Sequence, residues 1–147
     1  MARPLAQEMR VQGSLTGELQ NLIYDLLPTL EELEAKYVDL VGQTAKLKAA
    51  GLIYATEWWR PDGNGAPRYL YLLYPQQPGQ PRRRDYVGAD DDKIQEARES
   101  IARAKQFDTL TAEAQQIREK IENAAEFLDQ GCAVLKGKPR FMLRRRP

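Results

Sequence analysis

The amino-acid sequence predicts an α+β chain, mainly α: two long antiparallel coiled-coil-like helices with a small three-stranded antiparallel β-meander between them. Three observations carry this expectation. Apolar residues recur at three- and four-residue steps over about residues 14–50. A second stripe of the same kind runs over about 90–130. Between them, residues 52–88 drop that period and become rich in Tyr, Trp, Gly and Pro.

The first stripe is Leu15, Leu19, Leu22, Leu26, Leu30, Leu33, Tyr37, Leu40, Thr44 and Leu47. Its steps of three and four lay one apolar seam along a helix. Ser14 or Thr16 supplies an N-cap, with Glu18 in the first turn. Pro28 falls inside the pattern. A proline there removes a hydrogen bond and crowds the preceding turn, so a kink or break is expected near Leu27, with Thr29 and Glu32 able to restart the helix. Gly51 ends it as a left-handed residue.

Three strands are expected next. Leu52-Ile-Tyr-Ala-Thr-Glu-Trp-Trp59 is aromatic and β-branched. Arg60-Pro-Asp-Gly-Asn-Gly-Ala-Pro67 is turn chemistry. Arg68-Tyr-Leu-Tyr-Leu-Leu-Tyr74 is the middle strand, and Arg82-Arg-Arg-Asp-Tyr-Val87 is the third, after a Pro- and Gly-rich turn. Alternation puts Tyr69, Tyr71 and Leu73 on one face of the middle strand and Arg68, Leu70, Leu72 and Tyr74 on the other. One face should cover the helices. The other meets water, another chain or a ligand.

Asp90-Asp-Asp92 opens the second helix, where carboxylates suit both the N-cap and the helix dipole. The stripe Ile94, Ala97, Ile101, Ala104, Phe107, Leu110, Ala114, Ile117, Ile121, Ala124 and Leu128 follows, with Gly131 as its end. Small alanines on one helix leave room for leucines on the other. Residues 1–131 are therefore read as one helix–meander–helix domain and 132–147 as a basic tail. A lone pair of helices has a thin core, so a homodimer is expected through Leu19, Leu26, Leu33, Leu40, Ile101, Ile117, Ile121 and Leu128.

Composition removes many chemistries. The chain has no His, so it has no Ser-His-Asp triad and no His metal site. Its single cysteine, Cys132, allows neither an intrachain disulfide nor a cysteine-based zinc site, and is expected to be a buried or half-buried thiol. No phosphate-binding loop surrounds Gly63 and Gly65. No enzyme activity, cofactor or metal is expected. With no apolar membrane-length run and no signal-peptide pattern at the start, the expected location is the cytoplasm, with no membrane partner.

The net charge of +1 conceals segregation. Residues 1–50 carry 5 basic and 7 acidic groups, 51–89 carry 5 and 3, 90–130 carry 6 and 11, and 131–147 carry 6 and none. A polyanion responds to such local fields more than to the total. Within the meander Trp58, Trp59, Arg60, Arg68, Tyr69, Tyr71, Tyr74, Arg82, Arg83, Arg84 and Tyr86 interleave cations with aromatic rings. Arginine neutralises phosphate or forks onto guanine, and rings stack on bases. The expected nucleic-acid contacts are Arg60, Arg68, Tyr69, Tyr71, Arg82, Arg83 and Arg84, together with Arg144, Arg145 and Arg146 of the tail. The same residues also suit strand packing and edge protection.

Gly51-Leu-Ile-Tyr54, Gly65-Ala-Pro-Arg-Tyr-Leu-Tyr-Leu-Leu-Tyr74, Arg82-Arg-Arg-Asp-Tyr-Val87, Ile94-Gln-Glu-Ala-Arg98 and Ala104-Lys-Gln-Phe107 together resemble small bacterial proteins of unknown function often carried on mobile genetic elements. The resemblance covers roughly residues 30–125. Those proteins often carry a Cys-rich turn before the middle strand. Here that turn, Trp58 to Gly65, has no Cys, so no metal role is implied. Three strands followed by a helix are also similar to the arm-site DNA-binding domains of phage integrases, whose sheet reads the major groove. The hairpin-between-helices plan is similar to prefoldin subunits. Two functions are thus expected in competition. One is a dimeric accessory or regulatory protein with DNA as its partner. The other is a chaperone-like, inhibitor or scaffold protein whose β-elements contact a protein partner.

Overall fold

The computed structural model describes residues 13–138. The elements follow one another as α1 (Gly17–Ala50), β1 (Thr56–Pro61), β2 (Pro67–Leu73), β3 (Arg84–Gly88) and α2 (Asp91–Leu135). Two long helices with a three-stranded antiparallel sheet between them give the α+β, mainly α class that the sequence predicts. No helix among the described residues is long and apolar enough to cross a membrane.

The expected side-chain cap forms at α2, whereas at α1 the Thr16 hydroxyl engages a side chain and not a backbone N–H. The Thr16 carbonyl accepts from Gln20 N at 3.0 Å, and the Gln20 side-chain amide donates to Thr16 Oγ1 at the same distance. At α2, Asp90 Oδ1 accepts from Asp92 N at 3.1 Å and the Asp90 carbonyl from Ile94 N at 3.0 Å. Two further helix expectations need correction. Of the kink or break expected near Leu27, the break does not occur: α1 is one helix through Pro28, because an internal proline forfeits its own backbone donor while the turns on either side keep theirs. α2 does not stop at Gly131 but continues to Leu135. Gly131 keeps an ordinary helical φ. The left-handed glycine is Gly137 at φ 69°, where Lys138 N reaches back to the Ala133 carbonyl at 2.8 Å. Cys132, within this extension, is exposed rather than buried.

The chain divides into two compact units, Val41–Ala112 and the combination of Met1–Leu40 with Glu113–Pro147. The first holds the sheet, whose strand order is β1-β2-β3. Strand β1 starts at Thr56, later than the predicted Leu52. Leu52–Ala55 is a connection instead: Ile53 N donates to the Ser100 carbonyl of α2 at 3.2 Å, and Ile53 and Ala55 pack against the core. That core is Leu70, Leu72 and Ala97, with Trp59, Tyr74, Val87, Ile94 and Ile101 against it. Leu70 has no exposed surface at all. Arg103 fastens the end of α1 to α2 by donating to the carbonyls of Gly51 (2.9 Å) and Ala50 (3.2 Å) and to Ser100 Oγ (2.7 Å). The last carbonyls of a helix lack intrahelical donors and carry negative dipole charge, so a guanidinium suits them.

In the second unit Leu40, Ala114 and Ile117 are buried, and Leu26, Leu33, Tyr37 and Ile121 are half-buried. Large apolar side chains remain open to water, among them Leu19, Leu22, Ile23, Phe127, Leu128 and Leu135. Of the positions expected to join two copies, Leu40 and Ile117 are buried in the single chain, while Leu19 and Leu128 stay exposed. Ile101 lies in the other unit, against the sheet core.

Candidate nucleic-acid interface

The register of the sheet sorts the basic and aromatic residues into two faces. Trp58 pairs with Tyr71 and Arg60 with Tyr69 across β1 and β2. Tyr71 pairs with Tyr86, and Leu73 with Arg84, across β2 and β3. Strand alternation places all of these opposite the face that carries buried Leu70 and Leu72. The outer face thus presents Thr56, Trp58 and Arg60 from β1, Tyr69, Tyr71 and Leu73 from β2, and Arg84 and Tyr86 from β3. None of these strand positions is acidic.

The three paired rings form a row across the strands. Trp58 and Tyr71 lie 5.3 Å apart between ring centres, tilted 63°, and Tyr71 and Tyr86 lie 5.0 Å apart, tilted 55°. Such cross-strand aromatic pairs stabilise a sheet by about 0.5–1.5 kcal/mol beyond area burial. Yet 41% of Trp58 and 61% of Tyr86 remain exposed. A concavity of about 460 Å³ opens beside the row, lined by Arg60, Tyr69, Tyr71, Tyr86 and the turn residues Pro61 to Gly63.

Local backbone devices hold the row. Leu70 faces Gly88 while Tyr71 faces Tyr86, so Val87 is an extra residue forming a bulge in β3. Gly88 has φ 107°, and a Cβ there would meet the Tyr86 ring at 3.7 Å. The ring therefore lies over a glycine that L side chains could not replace without strain. At the other end, Asp62 Oδ1 accepts from Asn64 N (2.8 Å) and Ala66 N (3.1 Å), which ties up the turn's carboxylate in backbone bonds.

The expected arginine contacts divide by what each guanidinium already holds. Arg60 and Arg84 make no hydrogen bond or ion pair among the described residues and lie on the outer face. Arg68 sits at a second bulge, its guanidinium 5.8 Å from the Tyr69 ring centre. Arg82 Nε donates to the Tyr74 carbonyl at 3.0 Å. Arg83 pairs with Asp85 at 3.0 Å and lies 4.3 Å over the Tyr74 ring. Asp85 holds the Arg83 guanidinium above its ordinary pKa. The run Arg82-Arg83-Arg84 is thus not one basic patch. Two of its members brace the β2–β3 connection and one faces outward. Arg144, Arg145 and Arg146 lie outside the described residues.

Trp59 alternates to the inner face. Its indole lies 5.6 Å from Arg98, and Arg98 Nε bonds Glu57 at 2.7 Å. That bond, followed by the Trp59 indole N–H, holds Glu57 below the usual carboxylate range against the opposing effect of burial. Tyr54 donates to Asp108 at 2.8 Å, which raises the phenol above its ordinary value.

Trp58 and Tyr86 belong to the aromatic-basic cluster of the sequence but not to its expected contacts. The parity of their distance from the turns, taken with Tyr71 as reference, is the signal that would have placed them there. Among the described residues, no group of three or more carboxylates or thiols converges to hold a metal ion. Compared with protein-family models, curated protein sequences and solved structures, the chain matches none.

Proposed function

We propose that this is a non-enzymatic nucleic-acid-binding protein that uses the outer face of its sheet as the contact. One observation carries the reading: a row of three aromatic rings is flanked by Arg60 and Arg84, which have no partner among the described residues, on a face whose strands present no carboxylate. A phosphodiester chain offers the complementary pair of features, negative charge and flat bases. The acids nearest in sequence are already held, Glu57 by Arg98, Asp85 by Arg83 and Asp62 by backbone amides. Arg98 and Arg83 neutralise Glu57 and Asp85, whereas Asp62 keeps its charge at the edge of the face, where it lines the concavity and is outnumbered by Arg60 and Arg84.

The reading includes self-association through the exposed apolar positions of the helices, Leu19, Leu22 and Leu128 among them. An open apolar stripe on a helix is what a second copy covers in a helical bundle.

The test is binding of a mixed-sequence duplex and a single strand across a salt series, wild type beside Arg60→Ala/Arg84→Ala. Binding that weakens with salt in the wild type, with a slope shallower by about 1–2 in the double variant, supports the reading. If the wild type binds neither form at about 50 mM salt, where phosphate contacts are strong, the reading falls. The scaffold function with a protein partner then takes its place. Sedimentation of wild type beside Leu22→Asp tests the association. A monomeric wild type at the highest soluble concentration overturns it.

A further inference from the structure

We propose, resting on the reading of the sheet face as a nucleic-acid contact, that its ligand is single-stranded and is held by bases stacked on Trp58, Tyr71 and Tyr86. In a duplex the base faces are hidden within the stack and only their edges line the grooves. A row of aromatic rings has little to offer those edges. It suits unpaired bases, whose faces are open, and base–aromatic stacking is indifferent to sequence.

The dimensions agree with this. The ring centres lie 5.3 and 5.0 Å apart, close to the spacing of the strands that carry them. That is wider than the ~3.4 Å rise per nucleotide within a duplex strand. A strand meeting the row must therefore open its own stacking, which costs least where no pairing holds it. Three rings across one small sheet match the two or three bases that other aromatic sheet faces accept.

Charge points the same way. Arg60 pairs with Tyr69 near the β1–β2 turn, and Arg84 pairs with Leu73 at the opposite corner. Their backbones lie on a diagonal of the order of 16 Å, from two strand spacings and four residues of rise, with Tyr71 near its middle. Among the described residues of the sheet, these two cations, with Arg68 at the edge beside Tyr69, have no hydrogen bond or ion pair, and they serve a short strand crossing that diagonal. They are too few for the ~6–10 phosphate contacts typical of salt-sensitive duplex binding. The concavity lined by Arg60, Tyr69, Tyr71 and Tyr86 adds a recess beside the row.

The experiment is an anisotropy titration of the full chain with labelled oligo(dT) and with a mixed-sequence duplex of equal length. The expected result is tighter binding of oligo(dT). Trp58→Leu and Tyr86→Leu should each weaken it by ~5- to 150-fold, whereas Tyr86→Phe should change it by less than about twofold. The Leu–Phe contrast separates stacking from simple apolar contact, since both replacements are apolar. If a Leu variant fails to fold, the wild-type salt slope on oligo(dT) still decides the matter. A slope near −1.4 fits two phosphate contacts, and one steeper than about −4 overturns the proposal. Duplex bound as tightly as oligo(dT), with the Leu variants unchanged, also overturns the proposal but leaves nucleic-acid binding intact. No binding of either probe removes both.

Discussion

The two compact units are held together by different means. In Val41–Ala112 a fully enclosed leucine, a bidentate arginine latch and a sheet-to-helix ion pair all converge. In the other unit the buried apolar side chains are Leu40, Ala114 and Ile117, while eleven of the fifteen exposed large apolar side chains among the described residues belong to it. The lesson concerns where stability resides. Helix propensity and one thin seam define the second unit, and in water most helical stability comes from covering an apolar face. The first unit covers its own. The second leaves a face for which a second copy is the proposed cover.

The sharpest way to test that contrast is to remove the same side chain in each unit. Leu70→Ala should cost about 2–5 kcal/mol, because it opens a cavity under the sheet. Leu22→Ala, at a side chain 58% exposed, should cost under about 1 kcal/mol in the isolated chain. Urea unfolding followed by circular dichroism measures both. Equal losses would mean that the exposed stripe is covered in solution.

A smaller effect is expected at the latch. Arg103→Ala should cost about 1.5–3 kcal/mol by stranding the carbonyls of Ala50 and Gly51 and the Ser100 hydroxyl. Arg103→Lys should recover part of this, since a lysine keeps the charge but not the fork. Hydrogen exchange should report the loss first in the last turn of α1.

The smallest expected effect is with pH. Arg98 holds Glu57 below the ordinary glutamate range, so the folded state favours the ionised carboxylate. The stabilisation is fully present above the ordinary glutamate pKa of about 4.3 and is lost as pH falls through the lowered folded value. Thermal melts stepped downward from pH 7 should show a decline that Glu57→Gln makes shallower. An unchanged pH profile in that variant would remove the pair from the contrast between the units.

The long-range plan was legible because period and punctuation are local properties. The half of the first stripe from Leu33 through Tyr37, Leu40 and Thr44 to Leu47 is turned inward as its steps require. The face alternation of β2 follows from parity alone. What escaped depends on competition between partners. Leu52–Ala55 has strand composition, but Ile53 gives its N–H to α2 and, with Ala55, its side chain to the core between sheet and helix. Gly131 reads as a stop, yet a glycine stops a helix only when its backbone turns left-handed, and Gly137 does so instead. Three adjacent arginines looked equivalent, although Tyr74 and Asp85 engage two of them. Such pairing requires residues brought together by the fold.

Trp58 and Trp59 are neighbours in sequence on opposite faces of one strand, the first open to solvent on the aromatic row and the second set into the core beside Arg98. The chain therefore carries two intrinsic fluorophores with separate allegiances. One indole stands where the proposed ligand would settle. The other senses whether the sheet remains seated on its helix. Replacing either by phenylalanine isolates the other, so occupancy and folding become optically separable in a protein that has no further tryptophan.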